Sequence, residues 1–116
     1  MTIEYEPIFF KPHEIESLKP RLVVMLDMAR GFSNVPYIIT SGYRTKEHNK
    51  EVGGVVNSSH LKGEAVDISA IDKKARAVII YGLIKAGFQR IKIYKTHIHA
   101  DIDETKIFPY IGIEGE

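Results

Sequence analysis

His60 and Asp67 stand seven residues apart in Ser58-Ser-His-Leu-Lys-Gly-Glu-Ala-Val-Asp67, with Gly63 and Ala65 between them. Thirty residues after Asp67 the chain reads His97-Ile-His-Ala-Asp-Ile-Asp103, with imidazoles and carboxylates at alternate positions. A strand sends alternate side chains to one face, so His97, His99, Asp101 and Asp103 can point the same way. A strand that holds Asp67, a loop that turns back at Gly63 to deliver His60, and His99 from the last strand make three ligands. They mix imidazole nitrogen with carboxylate oxygen, a set that suits one Zn²⁺ ion, and three protein ligands leave a position open to water. That is the arrangement of a catalytic site.

The same residues carry a resemblance. The segment from Ser58 to Asp67 is similar to the Ser-x-His-x-x-Gly-x-Ala-x-Asp signature of the zinc D-Ala-D-Ala carboxypeptidase family. That family includes L-alanyl-D-glutamate endopeptidases of bacteriophage and shares its fold with the hedgehog signalling domain. Ser41-Gly-Tyr-Arg44 resembles the family's upstream motif, Asn49 with Val52-Gly-Gly54 resembles the stretch just downstream of that motif, and His99-Ala-Asp101 resembles the closing His-x-Asp. The matches run in order from about residue 38 to 103. The resemblance implies zinc held by His60, Asp67 and His99, with Arg44 touching substrate. The substrate it implies is the stem peptide of bacterial peptidoglycan, cut at either the D-Ala-D-Ala or the L-Ala-D-Glu bond.

One position departs from the pattern. Many members carry an acidic general base three residues before the last zinc histidine, and here that residue is Thr96. His97 is the nearest replacement, resembling the histidine that precedes the last ligand in actinomycete-type carboxypeptidases. It shares a strand face with His99, and imidazole as a group suits acid–base work near neutral pH. Read as residues alone, His97 is a base, a fourth ligand or an exposed side chain. Asp101 is expected to orient a ligand or Arg44, and Asp103 to be solvated. Arg44 suits a substrate carboxylate or developing oxyanion, against a plain surface ion pair. Ser58 and Tyr43 either hydrogen-bond within the site or shape its loop. Glu64 has the wrong strand parity to join Asp67, and His13 and His48 lie on helical segments outside the signature. The missing acid leaves a second reading, a non-catalytic zinc-containing binding module on the same fold.

Composition fits one soluble globular domain. The chain has 116 residues, 44% of them hydrophobic and 27% charged, enough to build a core without staples. It has no cysteine, so thiolate sites and disulfides are excluded. Sixteen basic and fifteen acidic residues nearly cancel. The densest basic cluster, Lys73-Lys74 with Arg76, fits a solvated helix face, which argues against nucleic acid as partner. Met1-Thr-Ile-Glu-Tyr-Glu6 lacks the features of a signal peptide, and no apolar run is long enough to enter a membrane. The format therefore resembles phage or prophage versions, made in the cytoplasm and acting on the cell wall.

The elements that must position these residues are set by periodicity and punctuation. Residues 1–12 read as an extended lead-in. Ile15, Leu18, Leu22, Met25, Leu26 and Ala29 recur at helical spacing, with Pro20 in the first turn of the main part and Gly31 as the stop. Tyr37–Ser41 and Ala65–Ser69 read as strands, Thr45 caps a short helix through Lys50, and residues 55–63 read as loop. Asp72 caps a helix to about Ala86 with Ala75, Val78, Ile79 and Leu83 buried, and Gly87 stops it. Phe88–Tyr94 and His97–Asp103 read as strands joined by Lys95-Thr96, and the tail from Lys106 carries too little pattern to assign. The sum is an α+β domain: helices on a small, mainly antiparallel sheet.

Overall fold

The structure is a computed structural model that describes residues 5–114; residues 1–4, the start of the lead-in, lie outside the described residues. Five strands form one sheet in the order β1-β2-β4-β3-β5. They are β1 (Ile39–Ser41), β2 (Ala65–Ser69), β3 (Arg90–Ile93), β4 (His97–Asp101) and β5 (Tyr110–Ile113). All neighbours run antiparallel except β3 and β5, which are parallel.

Strand alternation divides the sheet into two unlike faces. Val66 and Ile68 lie opposite Ala100 and Ile98, and these in turn lie opposite Ile91 and Ile93. This apolar face is covered by α1 (Pro20–Ser33) and α3 (Lys73–Lys85), which pack on each other. Leu22, Leu26, Ile79 and Leu83 are fully buried between the layers together with Ile68, Ile91 and Ile98. Removing such side chains from water supplies the main stabilisation, roughly 1.5–3 kcal/mol each. The other face carries Asp67, His97, His99, Asp101, Arg90 and Lys92. Burying so many charged groups against a second apolar layer would be prohibitive, so this face stays open as a cleft. No helix among the described residues is long and apolar enough to cross a membrane.

Local chemistry sets the element ends. Asp72 accepts from the Ala75 amide at 2.9 Å and Thr45 from the His48 amide at 3.1 Å, each capping the helix it precedes. The first helix starts later than the apolar spacing suggests. Pro20 disfavours helical backbone at Lys19 (ψ 142°), and Ser17 turns the chain with φ 61°, so Ile15 and Leu18 pack from outside the helix. It also ends later: Gly31 stays within it, and Asn34, with φ 54°, supplies the left-handed closing residue. The predicted strand at Tyr37 shortens to β1. Residues expected as loop include a 3₁₀ turn, Ser59–Lys62, which carries His60. The tail expected to be unassignable supplies the parallel edge strand β5.

Asp103, expected to be solvated, is instead fully buried. β4 ends at Asp101, and beyond it the chain folds under the 3₁₀ turn rather than out into solvent. There the Asp103 carboxylate accepts from Ser59 Oγ (2.6 Å), Lys62 Nζ (3.0 Å) and Thr105 Oγ1 (2.6 Å). Burial pushes its pKa up, but these hydrogen bonds outweigh it and hold the carboxyl below the usual range. A lowered folded-state pKa stabilises the fold above the ordinary carboxylate range, and that stabilisation drains away as pH falls. Asp103→Ala is expected to lower the unfolding free energy by about 2–3 kcal/mol near neutral pH, with a smaller difference in acid. Urea unfolding of both proteins at two pH values measures it. A loss under about 0.5 kcal/mol would place Asp103 outside the framework.

Candidate metal centre

β2 and β4 pair so that Asp67 and His99 are direct cross-strand partners. His99 Nδ1 lies 3.0 Å from Asp67 Oδ1, and His60 Nε2 lies 3.5 Å from the same oxygen. One ligand atom from each of His60, Asp67 and His99 falls within 4.8 Å of the others. The two imidazoles meet edge to face, with ring centroids 5.4 Å apart. The three side chains are buried or nearly so.

The outer hydrogen bonds decide which nitrogen each ring offers. His60 Nδ1–H donates to the Gly42 carbonyl at 2.7 Å, which frees Nε2 toward Asp67. His99 Nε2–H donates to Asp101 Oδ2 at 2.7 Å, which frees Nδ1. Metal-binding histidines are oriented by such partners on the far nitrogen. Asp101, 1% exposed, is itself held by Arg90 Nε at 2.7 Å and the Asp103 amide at 3.0 Å. The arginine that Asp101 engages is thus Arg90, not Arg44.

Glycine makes the loop geometry possible. Gly63 closes the 3₁₀ turn with φ 69°, and a Cβ there would stand 2.3 Å from the Ser17 carbonyl oxygen. Ser58 caps the same turn by accepting from the His60 amide at 3.3 Å, so this serine shapes the loop and also lines the cleft. Arg44 reaches over the centre from the other side. Its guanidinium donates to Ser41 Oγ (3.0 Å) and Asn49 Oδ1 (3.3 Å) and stands 3.5 Å from Asp67 Oδ2. Asn49 is buried against Gly54, where a Cβ would fall 2.1 Å from its Oδ1.

The centre forms the floor of a cleft of about 350 Å³, whose walls include Arg44, Val55, Tyr94, His97 and Lys92. His97 stacks on Tyr94 with ring centroids 4.5 Å apart and planes 10° apart, and its Nδ1 lies 3.2 Å from Thr96 Oγ1. Tyr43 is exposed and lines a different hollow of about 740 Å³ beside β1, which brings no group of three metal-ligating side chains together among the described residues. Glu64 faces away and pairs with Lys19 at 3.1 Å. His13 and His48 are exposed and remote from the cleft lining.

The sequence model of the peptidase M15 family matches residues 5–103, nearly the whole described chain. The chain belongs to the peptidase M15 family. Among solved structures this M15 peptidase is similar to the Serratia marcescens L-Ala D-Glu endopeptidase ChiX, with a TM-score of 0.57 and 18% identity. That likeness, covering 78% of this chain and 84% of that one, shows a shared fold. No curated protein matches.

Three features around the cleft escape a reading of the sequence. Arg90 becomes Asp101's partner only through the β3–β4 register, and Tyr94 joins His97 only through their hairpin. Asn49 lies within a recognised motif, but its role in holding Arg44 appears only in three dimensions.

The donor set fits a divalent cation, and the charge of the site says the same. Burial works against charge on both Asp67 and His99. Yet Asp67 is driven far below the usual carboxylate range by hydrogen bonds and charge from His60 and His99. His99, between Asp67 and Asp101, is raised above the ordinary imidazole value by hydrogen bonds to both. In the metal-free protein a proton on His99 thus stands in for a cation. It stabilises that form in acid and is lost as pH rises through the raised value, which leaves the nitrogen open to a cation. Zinc is accordingly expected to raise Tm more at about pH 8 than at about pH 5.5, because it must displace the His99 proton in acid. Equal shifts in differential scanning fluorimetry at the two pH values would contradict this.

Proposed function

We propose that this M15 peptidase is a zinc-dependent hydrolase of the stem peptide of bacterial peptidoglycan. The observation that carries the reading is the convergence of His60 Nε2, Asp67 and His99 Nδ1 within 4.8 Å on the cleft floor. Each histidine has its other nitrogen already engaged. The site chemistry supports zinc, and family membership supports peptide-bond hydrolysis. The ChiX fold likeness adds support for a peptidoglycan stem peptide as the substrate class. D-Ala-D-Ala carboxypeptidase and L-Ala-D-Glu endopeptidase chemistry both fit the centre.

Bound by His60, Asp67 and His99, zinc supplies Lewis-acid polarisation of the scissile carbonyl and acidifies water. His97 is the general base and acid. In the tautomer whose Nδ1–H donates to Thr96 Oγ1, 3.2 Å away, the ring offers the Nε2 lone pair. It takes a proton from the attacking water, whose oxygen bonds to the carbonyl carbon. It returns that proton to the amine nitrogen as the C–N bond breaks, so the reaction balances with one water consumed. Stacking on Tyr94 fixes the plane of the imidazole through the transfer. Arg44, steadied by Ser41 and Asn49, directs its guanidinium at the developing oxyanion or a neighbouring substrate carboxylate. Asp101 acts through His99 by fixing its tautomer.

Incubation of the zinc-loaded protein with defined muropeptides, followed by mass spectrometry, tests this. The parent is expected to open one stem-peptide bond, and His99→Ala to lose both metal and activity. His97→Ala is expected to keep stoichiometric zinc while kcat falls by roughly 10²–10⁴-fold. An unchanged kcat in that variant removes His97 as the base. No turnover by a zinc-loaded parent favours the binding-module reading.

A further inference from the structure

Beyond the metal centre, the cleft wall carries more positive charge than the centre uses. Of the charged residues lining the cleft among the described residues, the histidines apart, four are cationic (Arg44, Arg90, Lys92, Lys106) and two are carboxylates (Asp67, Asp101). Arg90 is committed to Asp101 at 2.7 Å, and Arg44 stands beside Asp67 at 3.5 Å. Lys92 and Lys106 remain. Neither makes an ion pair or a side-chain hydrogen bond among the described residues, whereas Lys19 and Lys62 are paired to Glu64 and Asp103. Lys92 is the direct β3 neighbour of His99 across the sheet, so it sits beside the metal centre on the same face.

The two lysines also mark where the cleft continues. Arg90, Lys92 and Lys106 line both the metal cleft and an adjoining groove of about 530 Å³ bounded by Asn57, Tyr110 and Glu114. Glu114, the one carboxylate lining that groove among the described residues, accepts from the Tyr110 hydroxyl. Burial and the charges of Lys92 and Arg90 draw the Lys106 ammonium below its ordinary range, against the opposing pull of Asp103 and Asp101. Two ammonium groups that line the same cleft and groove, with no ion-pair partner among the described residues, concentrate positive charge there. An anion placed between them relieves this, and a carboxylate accepts from both.

We infer that Lys92 and Lys106 form a carboxylate-binding subsite that selects peptides carrying a free carboxylate next to the scissile bond, on the β3–β5 side of the metal. This rests on the peptidase reading above and adds its specificity element. Two carboxylates of a stem peptide have the right chemistry. One is the free α-carboxylate of a glutamate linked through its side chain, and the other is the chain terminus after D-alanine.

Four synthetic stem peptides test the inference: the parent, one amidated at the glutamate α-carboxylate, one amidated at the terminus, and one amidated at both. The zinc-loaded protein is expected to lose on the order of tenfold in kcat/KM, mainly through KM, when the carboxylate that meets the lysines is amidated. Whichever amidation does so identifies the source. In Lys92→Gln/Lys106→Gln that discrimination is expected to vanish, while Lys92→Arg/Lys106→Arg retains it. Circular dichroism and zinc content confirm that both variants are folded and loaded.

Discrimination that survives in the Gln double variant, or cleavage of all four peptides at equal rates, overturns the subsite while leaving the peptidase reading intact. Calorimetric binding of the same four peptides separates the converse case. Carboxylate-dependent binding that disappears in the Gln variant, without cleavage in any protein, keeps the subsite and overturns the peptidase reading. Neither binding nor cleavage overturns both.

Discussion

The pairing of β2 with β4 in one register is the constraint on which the site depends. It sets Asp67 opposite His99, residues 32 apart in sequence, on the open face of the sheet. In the same ladder it sets Val66 opposite Ala100 and Ile68 opposite Ile98 on the covered face. A slip of one residue would send the ligands into the helix layer and the aliphatic side chains into water. The hydrophobic effect therefore fixes the geometry of the candidate metal centre. Burial of Ile68, Ile98 and Ile91 selects the register, and the register delivers the carboxylate to the imidazole.

Around that pair a set of buried charges holds the remaining parts still. Arg90 fixes Asp101, which fixes His99; Asp103 clasps Ser59 and Lys62 on the 3₁₀ turn that carries His60. Buried ion pairs of this kind contribute little net stability, since desolvation cancels much of the attraction, but breaking one leaves an uncompensated charge. Their value here is positional. They fix the nitrogen that His99 turns toward Asp67 and steady the turn that carries His60, so that a cation bound there would demand little reorganisation. Arg44, anchored by Ser41 and the buried Asn49, and His97, stacked on Tyr94, extend the same preorganisation to the cleft walls.

Much of this was legible in the sequence because it is local. Alternation in His97–Asp101 places three functional groups on one face, Gly63 marks the turn that returns His60, and Thr45 and Asp72 announce their helices. What escaped depends on distant partners. Nothing near Arg90 announces an acid eleven residues on until the β3–β4 hairpin register is known. Asp103 continues the alternation of β4 and so reads as a surface strand residue, but the strand has ended and the chain folds beneath the turn. β5 is visible only through its parallel pairing with β3, a contact without a local turn to signal it. Gly31 reads as a helix stop because glycine commonly is one; here packing carries the helix on to Asn34.

The measurement that reaches the central claim most directly is a crystal structure of the zinc-loaded protein with anomalous data at the zinc edge. A single peak is expected about 2.0–2.2 Å from His60 Nε2, an Asp67 oxygen and His99 Nδ1, with the fourth position open to solvent. A peak elsewhere, or an ion closed off by a fourth protein ligand such as His97, would contradict it.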